Sequence, residues 1–375
     1  MERKDLRRVI EKYFMKFPAI KRLNCRGKRV LVRAGFDVPI KNGKVTEEFR
    51  IKKTLPTIKL LQKKGARIII LSHLGEKNGS LKPVANYLDY YLKNFKFISL
   101  IFGKATEKNI SKMKDGDIIL LENLRRDDRE EKNDKNFSKK LAKMGNIYVN
   151  EAFSVSHRNH ASIVGIPKYL PSYAGLLFEK EVENLKKAFR PRHPFLLILG
   201  GVKFESKLGV LDKFMKIADK IFIGGALANN FFKAKGIDIG RSVFDSKVSV
   251  KKYLNNPKII LPTDFKKKNG KILDIGPKAI EELSNLIKNS KFILWNGPLG
   301  NFEEKNLSSG TFSVAKLIAK SRTISIIGGG DTVAAITKLG LISKFSFVST
   351  AGGAMLEFLA KGTLPGIEAL LKSKK

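Results

Sequence analysis

From Lys28 onward the chain alternates short apolar runs with longer stretches in which apolar residues recur at three-to-four spacing. The first pattern is that of strands and the second that of one-faced helices, so their alternation predicts an α/β architecture. Strands are expected at 30–32, 67–71, 118–121 and 147–149. Ile51, Leu55, Ile58 and Leu61 mark one face of a helix that Gly65 ends. A second series is expected at 195–199, 221–223, 259–261, 292–294, 324–327 and 345–348. Between the two, the helical stretch 178–189 runs into Pro191-Arg192-His193-Pro194, which breaks it and places a domain boundary.

The residues that follow the strands carry the chemistry, because open α/β sheets bind ligands outside the carboxyl ends of their strands. In the first series these are Arg33 and Asp37, then His73, then Arg125, then His157, Arg158 and His160, while Arg50 begins the first helix. As a set they describe a cleft for a small polyanion whose carboxylate or phosphate is gripped by guanidinium groups. The second series ends its strands in glycine: Gly200-Gly201, Gly224-Gly225, Gly297, Gly328 to Gly330 and Gly352-Gly353. The segment Ile326 to Ala335 is the sharpest of these, an apolar strand running through three glycines into a helix that opens Asp331-Thr332. It reads as a phosphate site: no Cβ blocks the ligand, and free N–H groups at a helix start attract anions. Asp331 is placed to cap that helix or to face a metal riding on the phosphates. Lys203 and Lys207, spaced i, i+4 after Gly200-Gly201, share a face if the segment is helical, and an anion between them relieves their repulsion.

Length and composition narrow this further. At 375 residues the chain predicts two domains, and 43% hydrophobic with 29% charged residues is globular composition. The single cysteine, Cys25, forms no intrachain disulfide, so the expectation is cytoplasmic. Residues 1–20 carry scattered charges and read as a short amphipathic extension, not a signal peptide, and no apolar run is long enough to span a membrane. The net charge of +38 raises nucleic-acid binding. The lysines are nevertheless spread along the whole chain, without a basic tail, zinc-finger spacing or RNP-like aromatics, so nucleic acid is not the expected main partner. A Lys-rich field still draws anionic substrates inward. The chain has no G-x-x-x-x-G-K-[ST], no dinucleotide fingerprint with its acidic residue, and no CxxC or HExxH.

Leu71 to Gly75, Leu121 to Arg125, His157 to His160, Gly200 to Lys203 with Lys207, Leu294 to Gly300, Gly328 to Ala335 and Ser349 to Ala354 occur in one order. Over about 28–366 the chain resembles the phosphoglycerate kinase family. The resemblance implies two Rossmann-like three-layer α/β/α domains with mainly parallel sheets, joined by an interdomain helix and hinge. It divides the chain into an extension at 1–20, an acceptor domain at 21–185, a nucleotide domain at 186–358 and a segment at 359–375 that packs back on the first domain. It implies a monomer that transfers the acyl phosphate of 1,3-bisphosphoglycerate reversibly to ADP, giving 3-phosphoglycerate and ATP with Mg2+, in line and on domain closure. Carried over, Arg50, Lys203 and Lys207 are the catalytic residues, and Asp37, Arg50, His73, Arg125 and Arg158 the acceptor site. Gly201, Lys207, Gly225, Asn296, Pro298, Glu303, Gly328, Gly329, Gly330, Asp331 and Thr332 hold the nucleotide, with Asp331 the metal ligand.

The chain departs from the family pattern on the acceptor side. Family members read R-V-D-F-N-V-P where this chain has Arg33-Ala34-Gly35-Phe36-Asp37-Val38-Pro39, and S-H-L-G-R-P where it has Ser72 to Lys77 with Glu76. Residues 35 and 37 face the same way on an extended segment, so a carboxylate absent at 35 and present at 37 can serve one substrate hydroxyl from a shifted position. Glu76 is expected to turn outward, with Lys77 or Arg126 supplying the missing charge. These departures also motivate two alternatives: a weakened relative acting as a nucleotide-binding scaffold, and a kinase for a related small acid.

Overall fold

A computed structural model describes residues 17–373 except 19 and 203; most of the expected extension at 1–20, and Lys203, lie outside the described residues. The chain divides into two compact units, one of residues up to 182 with those from 363 onward, the other of residues 183–362.

The first unit is built on six parallel strands: β1 Arg29–Arg33, β2 Arg67–Leu71, β3 Phe95–Ile98, β4 Ile118–Leu121, β5 Ile147–Asn150 and β6 Ser172–Ala174, in spatial order β3-β4-β2-β1-β5-β6. The central strands are buried along their length, Val30, Leu31 and Val32 being fully so. A parallel sheet has crossover helices on both faces, hence the continuous apolar runs in place of strict alternation. The helix Phe49–Lys63 contributes Ile51 and Ile58 to the same core as Val30, Val32, Ile68 and Ile70. Chain order reverses between β1 and β5, and Arg33 is in register with Leu71 on one side and Asn150 on the other. The residues that follow these three strands therefore emerge together at one edge, at the switch point of the sheet. The edge strands β3 and β6 escaped the sequence reading, being short and only partly buried.

The second unit repeats the plan with β7 Phe195–Leu199, β8 Lys220–Ile223, β9 Ile259–Ile260, β10 Phe292–Asn296, β11 Ile324–Gly328 and β12 Phe347–Val348, all parallel, in order β9-β8-β7-β10-β11-β12. Its order reverses between β7 and β10, and from each of those strands a glycine-rich turn leaves the sheet. An antiparallel hairpin, Phe265–Lys268 with Lys271–Ile275, is added to the three-layer plan.

Two boundaries differ from the sequence reading. The division falls between 182 and 183, within the helix Leu176–Lys186, and not after 185. The helix Gly353–Lys361 ends at Gly362, whose left-handed φ of 77° closes it, so the second unit extends to 362 where 358 was expected. From 363 the chain joins the first unit, where the Gly366 amide donates to the Ser156 carbonyl at 2.8 Å. One buried acid organises the start of the helix Leu176–Lys186. Glu151, directly after β5, accepts the amides of Leu177 at 3.0 Å and Phe178 at 3.1 Å together with the Thr57 hydroxyl. Burial pushes its pKa up to about 7 against the pull of those bonds.

Candidate active site

In the first unit the site grows from Arg33, the last residue of β1 and wholly buried. Its guanidinium donates from Nη1 to the Ala34 carbonyl at 2.6 Å, from Nε to Ser162 Oγ at 2.7 Å and from Nη2 to His73 Nδ1 at 2.9 Å. A guanidinium has no acceptor, so Nδ1 must accept and the proton of a neutral His73 sits on Nε2. His73 is held neutral: burial first, then the charges of Arg33, Arg125, His160 and Arg50, put its pKa well below the ordinary value. His160 is lowered to about 4 by burial and by Arg125, Arg33 and Arg158. Two imidazoles that hold one proton each and take up no second at neutral pH, among arginines that cannot lose theirs, give this edge a net positive charge suited to an anion.

The counter-charge lies behind. Glu130, fully buried, accepts the Ser162 amide at 2.9 Å and its hydroxyl at 2.5 Å, so Ser162 Oγ links Glu130 to Arg33. Glu130 opposes the loss of Arg33's charge that burial alone would favour. The sequence reading missed it because it sits in the run Asp127-Asp128-Arg129-Glu130-Glu131, where nothing separates a buried acid from solvated neighbours.

In front of His73 stands Asp37. Its Oδ1 accepts the Gly75 amide at 2.7 Å and its Oδ2 is 4.0 Å from His73 Nε2, while Arg50 Nη1 donates to its backbone carbonyl at 2.6 Å. Asp37, His73 and Arg50 thus converge on one spot. Gly35 is buried; a Cβ there would stand 3.0 Å from Ser154 Oγ. Arg125 is set by Asn123, whose Oδ1 accepts the amides of Arg125 at 3.0 Å and Leu74 at 3.1 Å and whose Nδ2 donates to Gly79 and Glu76 carbonyls at 3.0 Å. That one amide ties the loop after β2 to the turn after β4. Arg158 is exposed nearby, its charge felt at His160. Glu76 is exposed, but the cations expected to compensate for it are engaged elsewhere, Lys77 with Asp128 and Arg126 with Glu122 at 3.2 Å.

In the second unit the corresponding edge is built of backbone. The turns after β7 and β10 pack directly on each other: the Gly201 amide donates to the Pro298 carbonyl at 2.8 Å and the Gly200 amide to the Asn296 carbonyl at 2.9 Å. Gly297 has φ 96°, and a Cβ on it would fall 2.1 Å from the Gly200 carbonyl oxygen, so no other residue fits there. Beside this seam lies a pocket of about 340 Å³ lined by Gly201, Gly225, Pro298, Glu303 and Asp331, with Phe232, Val243 and Leu299 among its apolar walls. Lys207, in the first turn of the helix Glu205–Phe214, is buried, with Nζ 3.7 Å from where a Gly201 Cβ would stand.

The helix that opens the Gly328 to Asp331 segment spans Gly330–Lys338 and is capped by Gly329 at φ 95°. Asp331 therefore sits within the first turn and makes no side-chain cap bond, which removes the capping alternative. Its carboxylate is exposed at the pocket, while buried Thr332 accepts the Gly297 amide at 2.9 Å and pins the helix to the β10 turn. Asn296 is buried at the end of β10. Among the described residues no three His, Cys, Asp or Glu side chains gather as a metal cage. A lone exposed carboxylate beside a glycine-rich turn instead suits a Mg2+ that keeps its waters and draws its other ligands from a bound anion. Sequence reasoning also missed Asp274, a pocket-lining acid whose Oδ2 accepts Ser309 Oγ at 2.8 Å and the Gly310 amide at 3.0 Å, and whose pKa burial raises.

Comparison with known proteins shows what the whole chain is similar to. The family model described as phosphoglycerate kinase matches residues 20–362. The chain is 43% identical to the phosphoglycerate kinase of Borrelia garinii subsp. bavariensis, covering 92% of this chain and 97% of that one. It is 44% identical to that of Dictyoglomus turgidum, covering 92% and 96%. Among solved structures, phosphoglycerate kinase from Pyrococcus horikoshii superposes with a TM-score of 0.85 at 33% identity, over 94% of this chain and 98% of that one. The Coxiella burnetii enzyme gives 0.81 at 35% identity, over 96% and 100%.

Proposed function

Since the chain belongs to the phosphoglycerate kinase family and is a phosphotransferase, we propose how its residues divide that reaction. The first unit takes 3-phosphoglycerate or its acyl phosphate, and the second takes ADP or ATP. The observation that carries this reading is the pocket of the second unit, which ends in a seam of bare backbone beside buried Lys207 and the exposed Asp331.

Asp331 would hold a nucleotide-bound Mg2+, which when present neutralises phosphate charge. The apolar walls take the base and Glu303 the ribose. Gly328 to Gly330, Thr332 and Asn296 border the phosphates. On the acceptor side Arg50, Arg125 and Arg158 take the phosphate and carboxylate of the substrate, His73 donates from Nε2, and Asp37 accepts from the substrate hydroxyl.

An oxygen of the ADP β-phosphate attacks the acyl phosphorus, forming a P–O bond in line with the one that breaks. The carboxylate of 3-phosphoglycerate leaves with the bonding electron pair. No side chain is needed as nucleophile or base. Arg50, Lys207 and Lys203 stabilise the oxygens whose charge shifts. The transfer demands that both bound substrates meet and that water, which would hydrolyse the acyl phosphate, be excluded; we assign that to closure on the substrates. We read the protein as a monomer, as the family resemblance implies. A lone cysteine, buried, suits the cytoplasm, and no described helix is long and apolar enough to cross a membrane.

The test is ATP-dependent phosphorylation of 3-phosphoglycerate, read by trapping the acyl phosphate, with Lys207→Ala alongside. We expect turnover in the native protein and a fall of about 10²- to 10³-fold in the variant, the usual cost of one transition-state cation. A folded native protein that binds MgADP without turnover would overturn the acceptor assignment.

A further inference from the structure

At the edge of the second sheet opposite the glycine turns, the chain enters its three central strands. Arg192 lies three residues before β7, Lys291 one before β10 and Arg322 two before β11. Phe292 is in register with both Phe195 and Ile324, and the Lys291 amide donates to the Pro194 carbonyl at 2.8 Å. Three cations distant in sequence therefore meet at one corner. This is the same topological gathering that assembles the arginines of the first unit, at the opposite end of a sheet.

They border a hollow of about 620 Å³ to which Lys288 and Lys320 add two more charges; no acidic residue lines it. All five cations are exposed, and none forms an ion pair among the described residues. Lys288 and Lys320 stand in the last turns of the helices Pro277–Asn289 and Ser309–Lys320, where they complement the negative helix ends. That bland role does not extend to Arg192, Lys291 and Arg322, which belong to no helix.

Beside the hollow, three backbone carbonyls accept side-chain hydroxyls. Ser290 Oγ donates to the Leu286 carbonyl at 2.6 Å, Ser321 Oγ to Ile318 at 2.8 Å, and Thr323 Oγ1 to Ser290 at 2.8 Å. Asp219, the acid of the turn that contacts His193, is engaged by His193 Nδ1 and the Phe195 amide, both at 2.6 Å. The result is a concave cationic surface with no carboxylate in its lining.

We propose that this hollow binds a small molecule carrying a chain of phosphoryl groups. Clustered guanidinium and ammonium groups match several phosphates closely spaced, with arginine gripping oxygens in pairs. A single-stranded nucleic acid is disfavoured because no aromatic side chain lines the hollow to stack a base. The hollow shares no residue with those assigned to nucleotide or acceptor, and nothing in the phosphoryl-transfer reading depends on it.

The test is a local footprint on the intact protein. Lys288, Lys291 and Lys320 are acylated with an amine-reactive reagent and read by mass spectrometry, with inorganic tripolyphosphate in one arm and ATP in the other. Lys52 and Lys361, in surface ion pairs elsewhere, serve as controls. At ligand about ten times Kd, acylation of Lys291 should slow about tenfold while the controls are unchanged, since occupancy sets the protection. Protection in both arms shows that the phosphate chain is read whatever its source; protection in one arm names inorganic chain or nucleotide as the source. Arg192→Ala with Arg322→Ala should weaken the protection about tenfold or more. Absence of protection in both arms, equal protection of the controls, or full protection in the double variant overturns the proposal. The footprint of the native protein decides the matter even if the variant misfolds.

Discussion

The two units share a six-stranded parallel plan and place their assigned ligands at the same kind of switch point, yet they prepare those edges differently. In the first unit the edge is made of side chains. Arg33 is held by Ala34, Ser162 and His73, with Glu130 behind, so recognition depends on charges that are fixed before a ligand arrives. In the second unit the edge is made of backbone: Gly200, Gly225 and Gly297 lie so close to it that a Cβ would not fit, and Gly201 turns at a φ of 76°. A three-charge acceptor needs cations in place, while a nucleotide phosphate is met by amides and by a metal that it brings along. The first edge should therefore tolerate added volume poorly only where it is buried, and be sensitive to every change of charge. The second should be sensitive to a single methyl group.

The severest break is expected from Gly297→Ala. The methyl meets the Gly200 carbonyl oxygen at 2.1 Å, and φ stays at 96°. Together these should cost about 3 kcal/mol or more in stability, with ADP binding lost in a calorimetric titration. Near-native ADP affinity would show that the seam is not the phosphate site.

Asp37→Asn probes the first edge by charge alone, since the amide oxygen can still accept from Gly75. Losing one charge-assisted hydrogen bond to substrate should lower kcat/KM about 10- to 100-fold. Unchanged kinetics would end the idea that the carboxylate at 37 stands in for the one missing at 35.

A smaller effect, read by proton NMR, sharpens the electrostatics. The chain has four histidines, so the signals are few. His160 should titrate near pH 4 and His73 well below the ordinary histidine value of about 6.5. The sign follows: the unfolded chain takes up these protons as pH falls through 6.5 and the native one does not. These two groups therefore favour the folded state above that pH and weaken it progressively below. Glu151, raised to about 7, works in the opposite sense between its ordinary carboxylate range and 7, so the resonances and not the melting temperature carry the test. Titration of His73 near 6.5 would mean that it is neither desolvated nor surrounded by cations.

The mildest change is Glu76→Arg. With Glu76 exposed, the KM for 3-phosphoglycerate should move by less than about fivefold, the range of a solvated charge. A larger improvement would place Glu76 in the site.

Much of this was legible in the chain. Apolar runs of four or five residues located the central strands 67–71, 118–121 and 195–199 to the residue, because a strand buried on both faces must be apolar throughout. Glycine at strand ends and arginine after strands marked the two edges, since sterics and charge restrict which residue types can serve there. The edge strands Phe95–Ile98 and Ser172–Ala174 were not legible, for a half-buried strand of three or four residues leaves no period to read. Nor was the end of the second unit at Gly362, which is a matter of which unit a helix packs on.

The sequence alone determined the order of elements, the family motifs and the residue types able to bind phosphate, because those are set by neighbours along the chain. Tertiary structure decided which charges count. Glu130 and Glu131 are adjacent and chemically alike; one is buried behind Arg33 and the other is exposed beside Arg125. Likewise the proton on His73 Nε2 follows from an arginine forty residues away in the chain and 2.9 Å away in space. Both are fixed by distance through a packed, weakly screening interior, which sequence separation does not record.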